Sequence, residues 1–302
     1  VIQQDRKMSV RNIEESLMEI VNEKAQLISL TMSQIADETE NLALWTEEYL
    51  SGSGEEELSQ EYDFTGDGIL YKKIDPYLDY DEFVETNSSV FFPTDKEMTG
   101  QIAAMINRTE KLDLHFRRIV DNIPYLTWAA IPMGNGFLRI YPYTEMNMFE
   151  PTHMQSDDPF YKTATIDNPR GETKWTKPYL DLMGSGWVMT CTHPIYVDGK
   201  IEGVACLDVN FNTIQKDFMA DFRLGNTGFA YLLDNSGEVI YHPLVEPKAD
   251  KRGDIFLTNI LDAALDNNYK KALEEVFAGD NGITRYYPDQ NKGGYNLIAY
   301  AS

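Results

Sequence analysis

The chain has 302 residues, 42% hydrophobic and 12% aromatic, which is ample for one large core or two modest ones and excludes a disordered polypeptide. Its 49 acidic against 26 basic side chains give a formal charge of −23, which repels phosphate backbones and anionic bilayers and excludes nucleic acid as a partner. The same field concentrates cations, small organic ones among them, although acidity also serves solubility alone.

From Ile13 to Tyr49 apolar residues recur at helical spacing (Ile13, Leu17, Ile20, Leu27, Ile35, Leu42, Trp45, Tyr49), with Lys24, Thr31 and Glu38 interrupting and no Gly or Pro before Gly52. Such a helix, longer than one compact domain requires, predicts a spine or a dimer seam. Ser51-Gly-Ser-Gly is a loop, followed by a Tyr- and Asp-rich segment to about Pro93. Within it Asp63-Phe-Thr-Gly-Asp-Gly68 fits a calcium loop poorly, with Thr65 at the third position and Ile74 where the bidentate glutamate belongs. Thr94 and Glu97 read as a capping box for a second amphipathic helix ending near Asp121. Strands are predicted over 125–132, 137–141, 186–196 and 200–210, and Asn212 as the cap of a short connector helix through Phe222. After Gly225 the pattern repeats on a smaller scale: strands over 229–233 and 239–242 around Asp234-Asn-Ser-Gly237, helical material from Ile255 to Ala278, and strands near 283–287 and 295–301.

The class is therefore α+β: a long N-terminal helix over 1–50, a first module over 51–222 and a second over 223–302, each with a central antiparallel sheet because tight turns join neighbouring strands. The chain opens in helical pattern and stops in a strand-like run, Ile298-Ala-Tyr-Ala-Ser302, as a piece of a longer protein would. No apolar run of about 18 residues and no signal-peptide pattern is present.

Only Cys191 and Cys206 occur. Around an Asp198-Gly199 turn, pairing Val197 with Lys200 sets them directly opposite each other. Counting outward from the turn makes that a hydrogen-bonded pair, whose Cβ atoms diverge, so free thiols are favoured over a bridge while both stay open. The histidines (His115, His153, His193, His242) are scattered, and no phosphate loop, nucleophile elbow or Cys/His arrangement appears. Neither a metal site, a cofactor nor a catalytic residue is expected. Asn87-Ser-Ser and Asn107-Arg-Thr fit the glycosylation acceptor pattern.

The ordered series Asp158-Pro-Phe-Tyr161, Trp175-Thr-Lys-Pro-Tyr179-Leu-Asp181, the hairpin 194–204, Cys206-Leu-Asp208 and Leu224-Gly-Asn-Thr-Gly…Tyr-His-Pro243 resembles the double Cache (dCache) sensor domains of prokaryotic chemoreceptors and histidine kinases. The resemblance covers essentially the whole chain. It implies two PAS-like Cache modules, the first membrane-distal, behind a signalling helix that pairs in a homodimer. It also implies membrane anchors outside this sequence, an extracytoplasmic location and a small-molecule ligand in the distal module, with loops over 143–185 closing on it.

Members that bind amino acids hold the carboxylate with an Arg two residues before an aromatic–Tyr pair. Here that pair is Phe160-Tyr161 and the Arg position is Asp158; the motif's upstream tyrosine falls near His153, and the ammonium-binding residues match Tyr179, Asp181 and Asp208. A carboxylate ligand needs the guanidinium fork, and an aspartate in its place repels it. The expected site therefore comprises carboxylates (Asp158, Asp181, Asp208) and aromatic faces (Phe160, Tyr161, Trp175, Tyr179, Tyr143) beside His153, a composition suited to a cationic amine. Bland readings stay open: Trp175 and Tyr179 as core aromatics, Asp158 as a cap, and the whole as a structural module that signals through a protein partner.

Overall fold

The computed structural model describes residues 2–52, 54–146, 149–166, 168–210, 213, 219, 228–243, 248–249, 255–256, 258–264, 266–279, 281–288 and 295–302. The chain divides into two compact units, Ser33–Thr213, and Val1–Met32 with Ile214–Ser302. The connector helix expected over 212–222 lies outside the described residues, apart from Thr213 and Met219.

Helix α1 (Ile2–Leu50) contributes its Ser33–Leu50 part to the larger unit. There Ile35, Leu42 and Ala43 are buried together with Thr39 and Thr46. The two threonines enter the core without an orphaned donor because their hydroxyls bond back to the carbonyls of Ile35 and Leu42, each at 2.7 Å. Further along come the hairpin β1 (Tyr62–Phe64) and β2 (Leu70–Lys72), α2 (Tyr80–Thr86), α3 (Gly100–Thr109) and α4 (Asp113–Asn122).

The helix expected from Thr94 starts later and breaks in two. Thr99 caps α3, accepting from the Ile102 N–H at 3.3 Å, and a 3-10 turn over Glu110–Leu112 separates α3 from α4. Thr94 is occupied elsewhere, its N–H and hydroxyl both donating to the Pro151 carbonyl.

The sheet of this unit is wholly antiparallel, in the order β3 (Ser89–Phe91), β5 (Leu138–Tyr141), β4 (Leu126–Pro132), β9 (Lys200–Asn210), β8 (Trp187–Val197), β6 (Lys174–Trp175). Strand β7 (Tyr179–Leu180) also pairs with β8. The β8–β9 turn is the expected one, with Asp198 and Gly199 at φ 52° and 76°, a combination that matches the strand twist.

Past the turn the register departs from expectation. Val197 faces Lys200, but a bulge next to Tyr196 shifts the ladder by one, so Cys191 faces Leu207 and Thr192 faces Cys206. Directly opposed residues share a face, so the two cysteines lie on opposite faces of the sheet and are free and buried. Burial raises the Cys191 thiol to about 12 and pushes Cys206 upward as well. Neither thiol is therefore expected to react with an aromatic disulfide reagent in the native state, and both should react on unfolding; fast native labelling of either one would contradict this packing.

On the helix-covered face, Arg139 of β5 is fully buried. It donates to Thr109 Oγ1 (3.2 Å), Ser88 Oγ (2.9 Å), the Tyr62 hydroxyl (2.9 Å) and the Ile106 carbonyl (2.8 Å), and lies 3.7 Å from the Asp113 carboxylate. Lys72 bridges Glu110 (2.6 Å) and Asp113 (3.2 Å). A groove of about 620 Å³ at the C-terminal end of α1 is lined by Glu48, Tyr49, Arg108 and Lys111. Its cations are already engaged, Arg108 with Glu56 and the Gly52 carbonyl, Lys111 over the Tyr49 ring, which gives no reason to seek a ligand there.

The smaller unit contains the antiparallel pairs β10 (Leu232–Leu233) with β11 (Val239–Tyr241), β12 (Lys248–Ala249) with β13 (Ile255–Phe256), and β14 (Asn281–Tyr286) with β15 (Asn296–Ala301). Its helices are α6 (Ile260–Ala263) and α7 (Asn267–Phe277). The helical run expected from Ile255 thus begins at Ile260, because Ile255 and Phe256 pair as a strand and Asn259 caps α6 by accepting from Leu261 N. His242 packs its ring against Phe229 and Tyr231.

Candidate functional site

The sheet face opposite Arg139 carries Thr190 and Thr192 of β8, Asp208, Cys206 and Val204 of β9, and Trp128 and Ala130 of β4, assigned by direct opposition (Thr190 to Asp208 to Trp128, Thr192 to Cys206 to Ala130). Over it lie α5 (Pro159–Thr165) and the segment before it, which bring Ala164, Met146, Phe149, Phe160 and Tyr161 against Ala130, Val204 and Cys206. Proline at the first position of α5 and Asp158 in extended backbone just before it explain locally why that helix starts there.

Cys206 marks the centre. Asp158, Asp208, Tyr161 and Tyr179 all lie close enough for their charges to couple to its thiol. Asp208 is half-buried as a residue, and its carboxylate accepts from the Thr190 hydroxyl at 2.7 Å. The Tyr179 hydroxyl lies 2.5 Å from that same Thr190 oxygen, so a relay runs Tyr179 to Thr190 to Asp208. Among the described residues no basic side chain pairs with Asp208, and burial raises its carboxyl from 3.8 to about 7, with Asp181 adding to the rise.

Asp181 is richly bonded. It accepts from Trp128 Nε1 (3.1 Å), the N–H groups of Met183 (3.0 Å) and Ser185 (3.1 Å), and the Ser185 hydroxyl. Asp158, also buried, is matched by His153, whose Nε2 lies 2.9 Å from its carboxylate. That hydrogen bond raises the His153 imidazole above its ordinary value. Phe149 stacks on His153 and Phe160 lies 6.2 Å from Tyr179, centroid to centroid.

The structure thus gathers Asp158, His153, Phe160, Tyr161, Tyr179, Asp181 and Asp208. Two expected members fall elsewhere. Trp175 is directly opposed to Cys191 and so shares the other face of the sheet. Tyr143 packs edge-on to Phe83 of α2, near Tyr80 and Tyr71. Sequence reasoning missed Trp128 and Thr190, which follow from strand parity once the register is known.

Among known proteins, the chemotaxis protein McpC of Bacillus subtilis is 29% identical over 127 residues, 42% of this chain and 18% of that protein. The chain spans less than a fifth of that relative's length. The periplasmic sensory domain of the Campylobacter jejuni chemoreceptor Tlp1 superposes with a TM-score of 0.53 at 15% identity, covering 95% of this chain and 89% of that one. The Pseudomonas aeruginosa chemoreceptor domain PctC, solved with GABA, gives 0.51 at 16% identity, covering 95% and 97%. These likenesses establish a shared fold. With the Cache domain family (dCache_1) matching residues 6–302 from end to end of the described architecture, the chain belongs to that family.

Proposed function

We propose that this chain is the extracytoplasmic sensor portion of a membrane receptor and that its larger unit binds a small organic cation at Asp208. The distal module over 51–222 and the proximal one over 223–302 are part of this reading, as are membrane anchors outside the sequence. The observation that carries it is the Asp208 carboxylate, which accepts from the Thr190 hydroxyl and has no cationic partner among the described residues, with Trp128 directly opposite it on β4 and Tyr179, itself beside Phe160, reaching it through Thr190. A ligand ammonium there gains charge pairing and cation–π attraction together. The Arg position of amino-acid sensors is taken by Asp158 paired to His153, which offers a ligand carboxylate at most a histidine already engaged. The PctC domain was solved with GABA, whose ammonium end has the same requirement.

A second copy of the chain is the partner we assign to α1, on which Ile13, Ile20 and Leu27, seven residues apart, are 51%, 38% and 40% exposed. Ligand drives signalling only through differential affinity for two arrangements of such a dimer.

The test is a thermal-shift panel of polyamines, methylated amines, amino acids and dicarboxylates. Amines are expected to raise the melting temperature by several degrees, and Asp208→Ala to abolish the rise. Stabilisation by carboxylates alone would overturn the cation reading, and no shift with any class would favour signalling through a protein partner.

A further inference from the structure

Gln155 is fully buried, yet neither its side-chain oxygen nor its nitrogen has a hydrogen-bond partner. It sits in the turn Gln155–Asp157 that packs on α5, and its carbonyl accepts the N–H of Asp158 at 3.1 Å, so it is one turn from the Asp158–His153 pair. The only other such atom among the described residues is one Glu38 oxygen, on α1. A buried carboxamide with both ends unpaired is costly and rare, and calls for a reason.

We propose that Gln155 is a specificity-determining residue, its carboxamide pairing with an uncharged ligand group that both donates and accepts, while the ligand's ammonium sits on Asp208. The inference rests on the cation reading above. The chemistry selects the partner. A ligand carboxamide or hydroxyl satisfies the oxygen and the nitrogen at once. A carboxylate answers only the nitrogen and brings a second negative charge beside Asp158, a second ammonium answers only the oxygen, and an alkyl end answers neither.

The experiment is calorimetric titration of the full chain with four amines of matched length: 4-aminobutanamide, GABA, 1,4-diaminobutane and butylamine. The wild type should bind the amide about tenfold tighter than butylamine, and Gln155→Met should reduce that ratio below about threefold. Without ligand, Gln155→Met should melt no lower than wild type, since an apolar isostere leaves nothing unpaired. Gln155→Glu, which keeps only acceptors, should shift preference to 1,4-diaminobutane. Amines that bind through Asp208 without amide preference, a preference that survives Gln155→Met, or a Gln155→Glu protein still favouring the amide would each overturn the inference while sparing the cation reading. If no amine binds, the cation reading itself has failed.

Discussion

Replacing Arg139 by methionine is expected to destabilise the Ser33–Thr213 unit by about 3–5 kcal/mol, a fall in melting temperature of roughly 10 °C. The magnitude follows from what the guanidinium leaves behind. Arg139 is fully buried on the sheet and donates to Thr109, Ser88, Tyr62 and the Ile106 carbonyl. Without it Asp113 and Glu110 have only Lys72 against two carboxylates, and Glu61 adds a third acid whose carboxyl is pushed up by its hydrogen bond to Glu110. Removing one partner of a buried ionic cluster costs more than the cluster ever contributed, because the remaining charge stays desolvated. Lysine should rescue only in part, since one ammonium cannot reach all the acceptors that a planar fork serves. The control is Arg117→Ala, which breaks an exposed pair with Asp121 at 3.7 Å and should cost under about 0.5 kcal/mol. Thermal or urea unfolding followed by circular dichroism decides between them; an Arg139→Met loss as small as the control's would mean that the cluster is hydrated and weakly coupled.

Arg139 also illustrates what a single sequence can and cannot convey. Periodicity exposed α1, and the Asp198-Gly199 turn fixed both strands of the β8–β9 hairpin, because local backbone chemistry sets these elements. The register beyond the turn was not legible, since the bulge near Tyr196 is stabilised by what the strands pack against and leaves no residue signature. One slipped residue moved Cys191 away from Cys206. The short edge strand β6 depends on non-local pairing, which is why Trp175 turned out to share the face of Cys191. A buried arginine in the run Phe-Leu-Arg-Ile-Tyr reads as an outward-facing polar residue until its neighbours on α3 and β1 are known. The site carboxylates were legible through the family motif; the pairing of Asp158 with His153, and with it the weight that falls on Asp208, was not.

That weight gives Asp208→Asn opposite effects on binding and stability. In the wild type the carboxyl is raised from 3.8 to about 7, so between these values the folded protein holds a proton that the unfolded chain has released. The contribution of Asp208 to stability is then greatest at acid pH, declines as pH rises toward 7 and is flat above it. Asparagine removes this loss, and the variant should be more stable than wild type at pH 8 by about 2–4 kcal/mol, with the gap closing toward pH 4. For a cationic ligand the sign reverses, because it binds the ionised carboxylate. Affinity should be constant above pH 7 and fall about tenfold per unit below it, roughly a hundredfold weaker at pH 5, with a proton released on binding at acid pH. Calorimetry in two buffers of different ionisation enthalpy reads that proton directly. Asp181 and Tyr179 face the same carboxylate, and the His153 imidazole, raised by its bond to Asp158, stands near the site, so Asp208→Asn separates the pH dependence that Asp208 causes from any that its neighbours contribute. A variant that gains stability at pH 8 and loses amine binding identifies Asp208 as a charge kept for its ligand against the interest of the fold. Gained stability with unchanged amine affinity would place the cation elsewhere, and loss of both would make Asp208 a structural residue.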